Sequence, residues 1–392
     1  MLAKLSVYLV LLLILPDIYI YRLFIRKHTA NRALRVLWFC PSLLLFLGLM
    51  AVLFVFQGGH TGIDFIGIFT ITFMVVTLPK ICFMLFSLLD LPLKYGLKTR
   101  FRPFGWLGLI VGVTASLMVL YGTFWGRKQF EVKQVVYTSP HLPASFDGYR
   151  IAQISDIHAG SWRNNRVTMQ KAIDLINAQG ADIIAFTGDL VNNDATELNP
   201  FLDILSQLHA PDGVYSILGN HDYGPYVHWH SEEAKEKNLQ DLKDRQADMG
   251  WLLLNNEHVL LHRGTDTIAL IGVENNGEPP FSQYSDLPAA MKGTESYPFK
   301  ILLSHNPTHW RREVLDTDID LMLAGHTHAM QIALGRLSPS ALLYPEWSGM
   351  YKEGDQGLYV NVGLGLIGLI PMRFGAWPEI TVITLKQLKM EN

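Results

Sequence analysis

Cysteine is nearly missing from this 392-residue chain: Cys40 and Cys82 are its two, and both lie in the first quarter. The rest of the chain therefore has no disulfide and no thiol nucleophile, which suits a compartment outside the reducing cytosol as well as one inside it. Acidic residues are scarce in the same region. Residues 1–128 hold Asp17, Asp64 and Asp90 against 13 Lys and Arg, a net charge of about +10. The remainder carries 19 basic and 32 acidic residues, about −13. A domain so short of positive charge is a poor match for a phosphate backbone, so no nucleic-acid partner is expected.

What the first region has instead is hydrocarbon. Four apolar stretches, about Leu5–Phe24, Val36–Gln57, Ile63–Leu91 and Phe104–Gly126, reach the length of roughly 20 residues that crosses a bilayer. The first is too long for a cleaved signal and lacks a small-residue cleavage site before soluble sequence. The third is over-long and carries Pro79-Lys80, which predicts a kink or a lysine paired within the bundle. Lys80 and Asp17 are intramembrane ionisable residues, and snorkelling toward an interface is the simplest expectation for both.

Loop charges orient the bundle. Arg26, Lys27, Arg32 and Arg35 lie between the first two spans, and Lys94, Lys98, Arg100 and Arg102 between the last two. The link Gly58–Gly62 has neither Lys nor Arg. Basic loops stay in the cytoplasm, which sends both termini and the second region outward. Arg127-Lys128 points the other way, two charges against eight. The expected organisation is a four-helix membrane anchor over 1–128 and an extracytoplasmic domain over 129–392.

From about Gln129 the apolar runs shorten to strand length and alternate with polar helical patterns. Strands are expected at Arg150–Ile154, Asp182–Phe186, Gly213–Leu218, Thr267–Val273, Lys300–Leu303 and Asp320–Leu323, and helices at Val167–Ala178 and Glu232–Met249. Near-continuous apolar strands alternating with helices predict a layered α/β fold whose sheet is covered on both faces. Five of these strands end in related punctuation: "SDIHAG" with Asp156 and His158, "TGDLVNND" with Asp189, "LGNHDYG" with Asn220, His221 and Asp222, "SHNP" with His305, and "GHTH" with His326 and His328. Ligands of α/β sheets gather beyond the carboxyl ends of strands, so five such loops converge on one place. Singly, each residue reads as a helix cap, a turn residue or a satisfied loop histidine. Together they read as metal ligands, since imidazole, carboxylate and amide oxygen suit Mn, Fe or Zn. Seven candidates exceed what one such ion takes from protein, so two ions fit better.

These blocks, in this order, resemble the calcineurin-like metallophosphoesterase superfamily, and in particular its membrane-anchored members. The resemblance implies a four-layer αββα sandwich in the second region. It implies Asp156, His158 and His328 on one divalent metal, Asn220, His305 and His326 on the other, and Asp189 bridging both. It implies His221 as a non-ligating general acid supported by Asp222, and hydrolysis by a hydroxide that bridges the metals. The chain departs from many members in having Asn192 where an aspartate follows the bridging residue by three. On an extended segment, His326 and His328 would face one side, one imidazole per ion, with Gly325 permitting the tight turn before them.

For the substrate, "LGLIGLIPMRFGAWPEI" (Leu364–Ile380) reads either as a strand with a turn or as an apolar lip admitting a lipid-linked phosphate, with Arg373 as a phosphate contact. Arg163, Asn164, the "YVHWH" stretch (Tyr226–His230) and "YPEWSGMYKEG" (Tyr344–Gly354) are rim candidates. His228 and His230 are rim residues rather than ligands. Three functions follow: a membrane-anchored phosphoesterase for a phosphorylated small molecule or lipid, a cell-surface phosphodiesterase for soluble nucleotides, or a metal-holding sensor or scaffold without turnover. An intact His221 disfavours the last.

Overall fold

The computed structural model describes residues 2–56, 63–96, 103–163, 165–279, 281, 283–368 and 371–388. Asn164, the link Gly58–Gly62, and Lys98, Arg100 and Arg102 of the second basic loop lie outside the described residues. The chain divides into two compact units, Met1–Trp125 with Gly368–Met372, and Gly126–Ile367 with Arg373–Asn392.

The first unit is helical, with four helices long and apolar enough to cross a membrane: Tyr8–His28, Arg32–Leu53, Phe65–Leu88 and Pro103–Lys128. The third keeps Pro79 inside one helix, Ile63–Leu88. The fourth helix rests its backbone against it there: side chains on Gly108 and Gly112 would collide with Cys82 and with Leu78-Pro79. Small residues at this spacing let helices approach in a medium that gives no hydrophobic drive to association. Lys80 and Asp17 do not snorkel. Lys80 Nζ lies 2.7 Å from Asp17 Oδ1 and 2.9 Å from Ser42 Oγ, and sits over the Trp38 ring. A charge facing hydrocarbon is costly enough that the two bind each other inside the bundle instead.

The second unit holds two six-stranded sheets among its described residues. The first runs in the order β1 (Glu131–Ser139), β12 (Glu379–Gln387), β2 (Arg150–Ile154), β3 (Ile183–Phe186), β4 (Val214–Ser216) and β5 (Leu252–Leu253). The second runs β10 (Gly349–Glu353), β11 (Gln356–Val360), β9 (Leu321–Ala324), β8 (Lys300–Leu303), β7 (Asp266–Gly272) and β6 (Glu257–Arg263). The strands β2 to β5 are mutually parallel, as are β7, β8, β9 and β11.

Alternation along each strand builds the layers. Ile151, Ile183, Ala185, Ile301, Leu303, Leu321 and Leu323 share one core between the sheets. Their neighbours Ala152, Ile184 and Phe186 face the helices Arg166–Asn177 and Glu232–Asp248, through Ala172, Ile173, Ile176 and Leu242. On the far side Leu302, Met322 and Ala324 pack with Trp310 and Ala290. Both faces of each sheet are therefore apolar, which is why the strands read as continuous runs. The result is the expected αββα sandwich. Within the tail, Leu364–Pro378 contains no named strand among its described residues, and β12 starts only at Glu379; Leu369 and Ile370 lie outside them.

Candidate metal centre

Seven side chains stand just beyond the carboxyl ends of five parallel strands, drawn from both sheets. Asp156 and His158 follow β2, Asp189 follows β3, Asn220 follows β4, His305 follows β8, and His326 and His328 follow β9. The backbone is bent hard there. Of ten non-glycine residues with positive φ among the described residues, five are Asp156, His158, Asp189, His326 and His328. Such conformations cost of order 1–3 kcal/mol each and persist where surrounding structure enforces them, chiefly at functional sites.

Glycines let the loops close. Gly325 does not take positive φ; His326 does, at 73°. Gly325 is needed for proximity instead, because a Cβ there would collide with Ser155 Oγ and Asp156 Oδ2. This corrects the turn expected at Gly325. It also corrects the extended segment expected at His326–His328, which bends, with His326 and His328 at positive φ and Thr327 right-handed between them. Gly325→Ala should displace Asp156, lower stability by about 1–3 kcal/mol as overpacking does, and lower metal content; wild-type melting and full metal occupancy would refute this.

The ligand candidates assemble into two clusters. Asp156, His158 and His328 form one, and Asp189, His305 and His326 the other, with potential ligand atoms within 4.8 Å of one another in each. His328 Nε2 lies 3.1 Å from Asp156 Oδ1 and 3.1 Å from His158 Nε2. His305 Nε2 lies 3.2 Å from Asp189 Oδ2 and 3.3 Å from His326 Nδ1. The same Asp189 Oδ2 is 3.6 Å from His158 Nε2, so this carboxylate stands between the clusters. Asn220 Oδ1 is buried without a hydrogen-bond partner, while its Nδ2 donates to Tyr226 Oη at 2.9 Å. An orphaned amide oxygen beside imidazoles and carboxylates is a donor set that fits divalent cations.

The remaining ring nitrogens are fixed from behind, as ligating imidazoles require. His158 Nδ1 faces the Val191 carbonyl, His305 Nδ1 the Thr187 carbonyl at 2.7 Å, and His326 Nε2 the Tyr344 hydroxyl at 3.0 Å. Burial holds His158 and His328 below the usual imidazole range, and with the His305 charge it lowers His326 to about 3. Burial would raise Asp156 and Asp189, but the neighbouring histidines hold both carboxyls below the usual range. His305 is the exception: burial pulls it down, yet Asp189 and Asp156 outweigh that and raise it to about 9. In the metal-free protein it therefore holds a proton below about pH 9 that a cation must displace. Metal affinity should rise about tenfold per pH unit up to that value through this group, because binding releases one proton. Calorimetry in buffers of different ionisation heat measures the released proton.

His221 is half-buried and meets His158 edge-on, ring centroids 4.9 Å apart. Its backbone N–H donates to Asp189 Oδ1 at 2.8 Å, and its Nδ1 to the Asn192 carbonyl at 2.7 Å. Among the described hydrogen bonds none joins Asp222 to His221, so the orienting contact is the Asn192 carbonyl. The buried Asp222 carboxylate accepts backbone N–H bonds from Asp189, Leu190, Val191 and Gly219. Burial and the Asp189 charge push it up to about 7 against those donors. Glu197, which sequence reasoning did not single out, accepts from the backbone of Gly160, Asn192, Asn193 and Asp194. Consecutive amides from 189 to 194 thus end on two carboxylates. Because His221 is held by the backbone of residue 192, the departure to Asn192 leaves that contact intact.

Arg373 is fully buried and is not a phosphate contact. Its Nε donates to the Gly365 carbonyl, Nη1 to that of Ala376 and Nη2 to those of Val362 and Gly365, while Nη2 lies 3.1 Å from His328 Nδ1. Burial lowers it to about 10. It braces His328 and the tail loop. Arg163 is exposed and, at φ 51°, closes the short helical turn Ala159–Trp162 that follows His158. Of the expected rim, Tyr226 and Tyr344 reach the centre through Asn220 and His326, whereas His228 and His230 are exposed and belong to neither cluster.

Comparison with known proteins agrees with this geometry. Residues 149–330 match the family described as Calcineurin-like phosphoesterase, and residues 3–127 match Probable Calcineurin-like phosphoesterase, transmembrane domain. Uncharacterized metallophosphoesterase YkuE of Bacillus subtilis (strain 168) is 31% identical over 291 residues, covering 70% of this chain and 94% of that protein. Transmembrane protein with metallophosphoesterase domain of Bos taurus is 32% identical over 297 residues, 74% of this chain, which spans 63% of that relative's length. UDP-2,3-diacylglucosamine pyrophosphatase LpxG of Chlamydia trachomatis serovar D is 28% identical over 330 residues, covering 70% of this chain and 97% of that protein. The chain belongs to the calcineurin-like metallophosphoesterases, as a membrane protein with four transmembrane helices.

Proposed function

We propose that residues 129–392 form the catalytic domain of a dinuclear phosphoesterase that residues 1–128 anchor, cleaving a phosphate ester or diphosphate, lipid-linked by preference, on the outer side of the membrane. The observation that carries this reading is the pair of ligand clusters meeting at Asp189, with His221 beside them. Asp156, His158 and His328 would hold one cation, Asn220, His305 and His326 the second, and Asp189 both; Mn, Fe and Zn all suit the donors. When bound, such a pair activates water and neutralises phosphoryl oxygens. The chain's own residues supply the rest. The Asn192 carbonyl fixes the His221 ring through Nδ1, leaving Nε2 to carry a proton to the leaving oxygen. Arg163, exposed five residues after His158, is assigned to a substrate phosphate.

The diphosphate and lipid part of the reading is supported by the relative LpxG, a UDP-2,3-diacylglucosamine pyrophosphatase by name, and by the four spans. The test uses detergent-purified full chain with p-nitrophenyl phosphate, its bis-ester, phosphatidic acid and a lipid diphosphate. Turnover that chelator abolishes and Mn restores is expected, with the lipid substrates favoured. Metal binding without turnover would mean a scaffold, and cleavage of soluble diesters alone would favour a nucleotide phosphodiesterase.

A further inference from the structure

Between His328 and Glu346 runs "QIALGRLSPSALLYP", Gln331–Pro345, which has no acidic residue and one cation, Arg336, in a domain that is otherwise acid-rich. Its leucines point outward: Leu334 is 57% exposed, Leu337 75%, Leu342 86% and Leu343 64%, with Met330 beside them at 38%. Single exposed leucines are ordinary, but a run of five large apolar side chains marks an interaction surface. The loop is held in shape. Leu334 and Leu337 exchange backbone hydrogen bonds of 2.8 and 3.1 Å across the Gly335-Arg336 turn. Ser338 donates to the Ala329 carbonyl and accepts from the Ser340 N–H, capping the turn Pro339–Leu342.

The base of the loop says what that surface meets. Ile332 bridges to Phe374, and Ala333 N–H donates to the Phe374 carbonyl at 2.9 Å. The adjacent Arg373 carbonyl and the Trp377 ring occupy the space a side chain on Gly126 would need. Gly126 begins the catalytic unit at the end of the last membrane helix, within two residues of Phe124. One bridge therefore separates the root of the apolar loop from Gly126, which lies near the end of the last apolar span, Pro103–Lys128. The other end of the loop is Tyr344, bonded to His326.

We propose that the Met330–Leu343 loop dips into the bilayer surface, its leucines among the acyl chains and Arg336 on lipid phosphates, and so holds the metal centre at headgroup height. An apolar face with a basic residue at its rim is the composition that lies in this interface. The consequence that the substrate phosphate is borne on a membrane lipid rests on the reading above; the membrane contact does not.

The full chain, with Cys40→Ser and Cys82→Ser, is reconstituted in phospholipid nanodiscs and given one cysteine for a fluorescent label at Leu337, Leu342 or, as a control on the exposed face of the helix Glu232–Asp248, Asp241. Quenching by nitroxide-labelled lipid several-fold stronger at Leu337→Cys and Leu342→Cys than at Asp241→Cys is expected. Equal quenching at all three overturns the proposal. In a second measurement, Leu337→Ser/Leu342→Ser/Leu343→Ser should slow hydrolysis of phosphatidic acid in vesicles by about tenfold or more, as misplacement of a site does. Turnover of soluble p-nitrophenyl phosphate should not change. Unchanged lipid turnover in a protein that does cleave lipid overturns the positioning role. If the unaltered protein cleaves no lipid phosphate at all, the substrate reading fails, while the quenching result decides the membrane contact on its own.

Discussion

Replacing Asp189 with asparagine should empty both metal positions and abolish hydrolysis together. Its Oδ2 lies within 3.6 Å of imidazoles from both clusters, and its Oδ1 accepts the His221 amide, so one side chain joins three functions. Asparagine keeps the shape and loses the charge that holds His305 and balances the cations. Paired cations supply several kcal/mol of charge stabilisation, so a loss of about 10³-fold or more is expected, each 1.36 kcal/mol being tenfold. Elemental analysis beside turnover makes the check. A variant that keeps two metals yet fails to turn over would place Asp189 in the chemistry rather than in the metal sites.

His221→Ala should do the opposite: both metals stay, and turnover falls by roughly 10²–10⁴-fold, the range of general acid catalysis. The loss should be largest for alkyl phosphates, whose leaving oxygen needs a proton, and smallest for nitrophenyl esters. His221 reaches the centre through its backbone N–H and a ring contact with His158, and it belongs to neither ligand cluster. Should the variant lose a metal, the ring is a ligand and the general-acid role is wrong.

What could be read from the sequence follows from which interactions leave a local trace. Strands such as Leu321–Ala324 were legible because both faces are buried, giving an unbroken apolar run. The half-exposed β1 and the hairpin strands β6 and β10 mix polar and apolar residues, and β1 pairs with β12, which is distant in sequence. The two clusters were legible because metal ligands must be a few residue types at strand ends. The roles of Arg373 and Asp222 were not, because each spends its charge on backbone groups, which every sequence possesses. Glu197 was hidden for the same reason. Gly325 was marked correctly but for the wrong cause, since crowding by Ser155 comes from a loop 170 positions away.

The two carboxylates behind the centre have a consequence for how the protein meets its metals. Asp222 and Glu197 tie down the backbone from 189 to 194 with hydrogen bonds that involve no cation. The position of the Asp189 carboxylate is thus set by hydrogen bonds rather than by a cation. We expect the loop to keep its shape whichever ion binds, so that the choice among Mn, Fe and Zn falls to their supply.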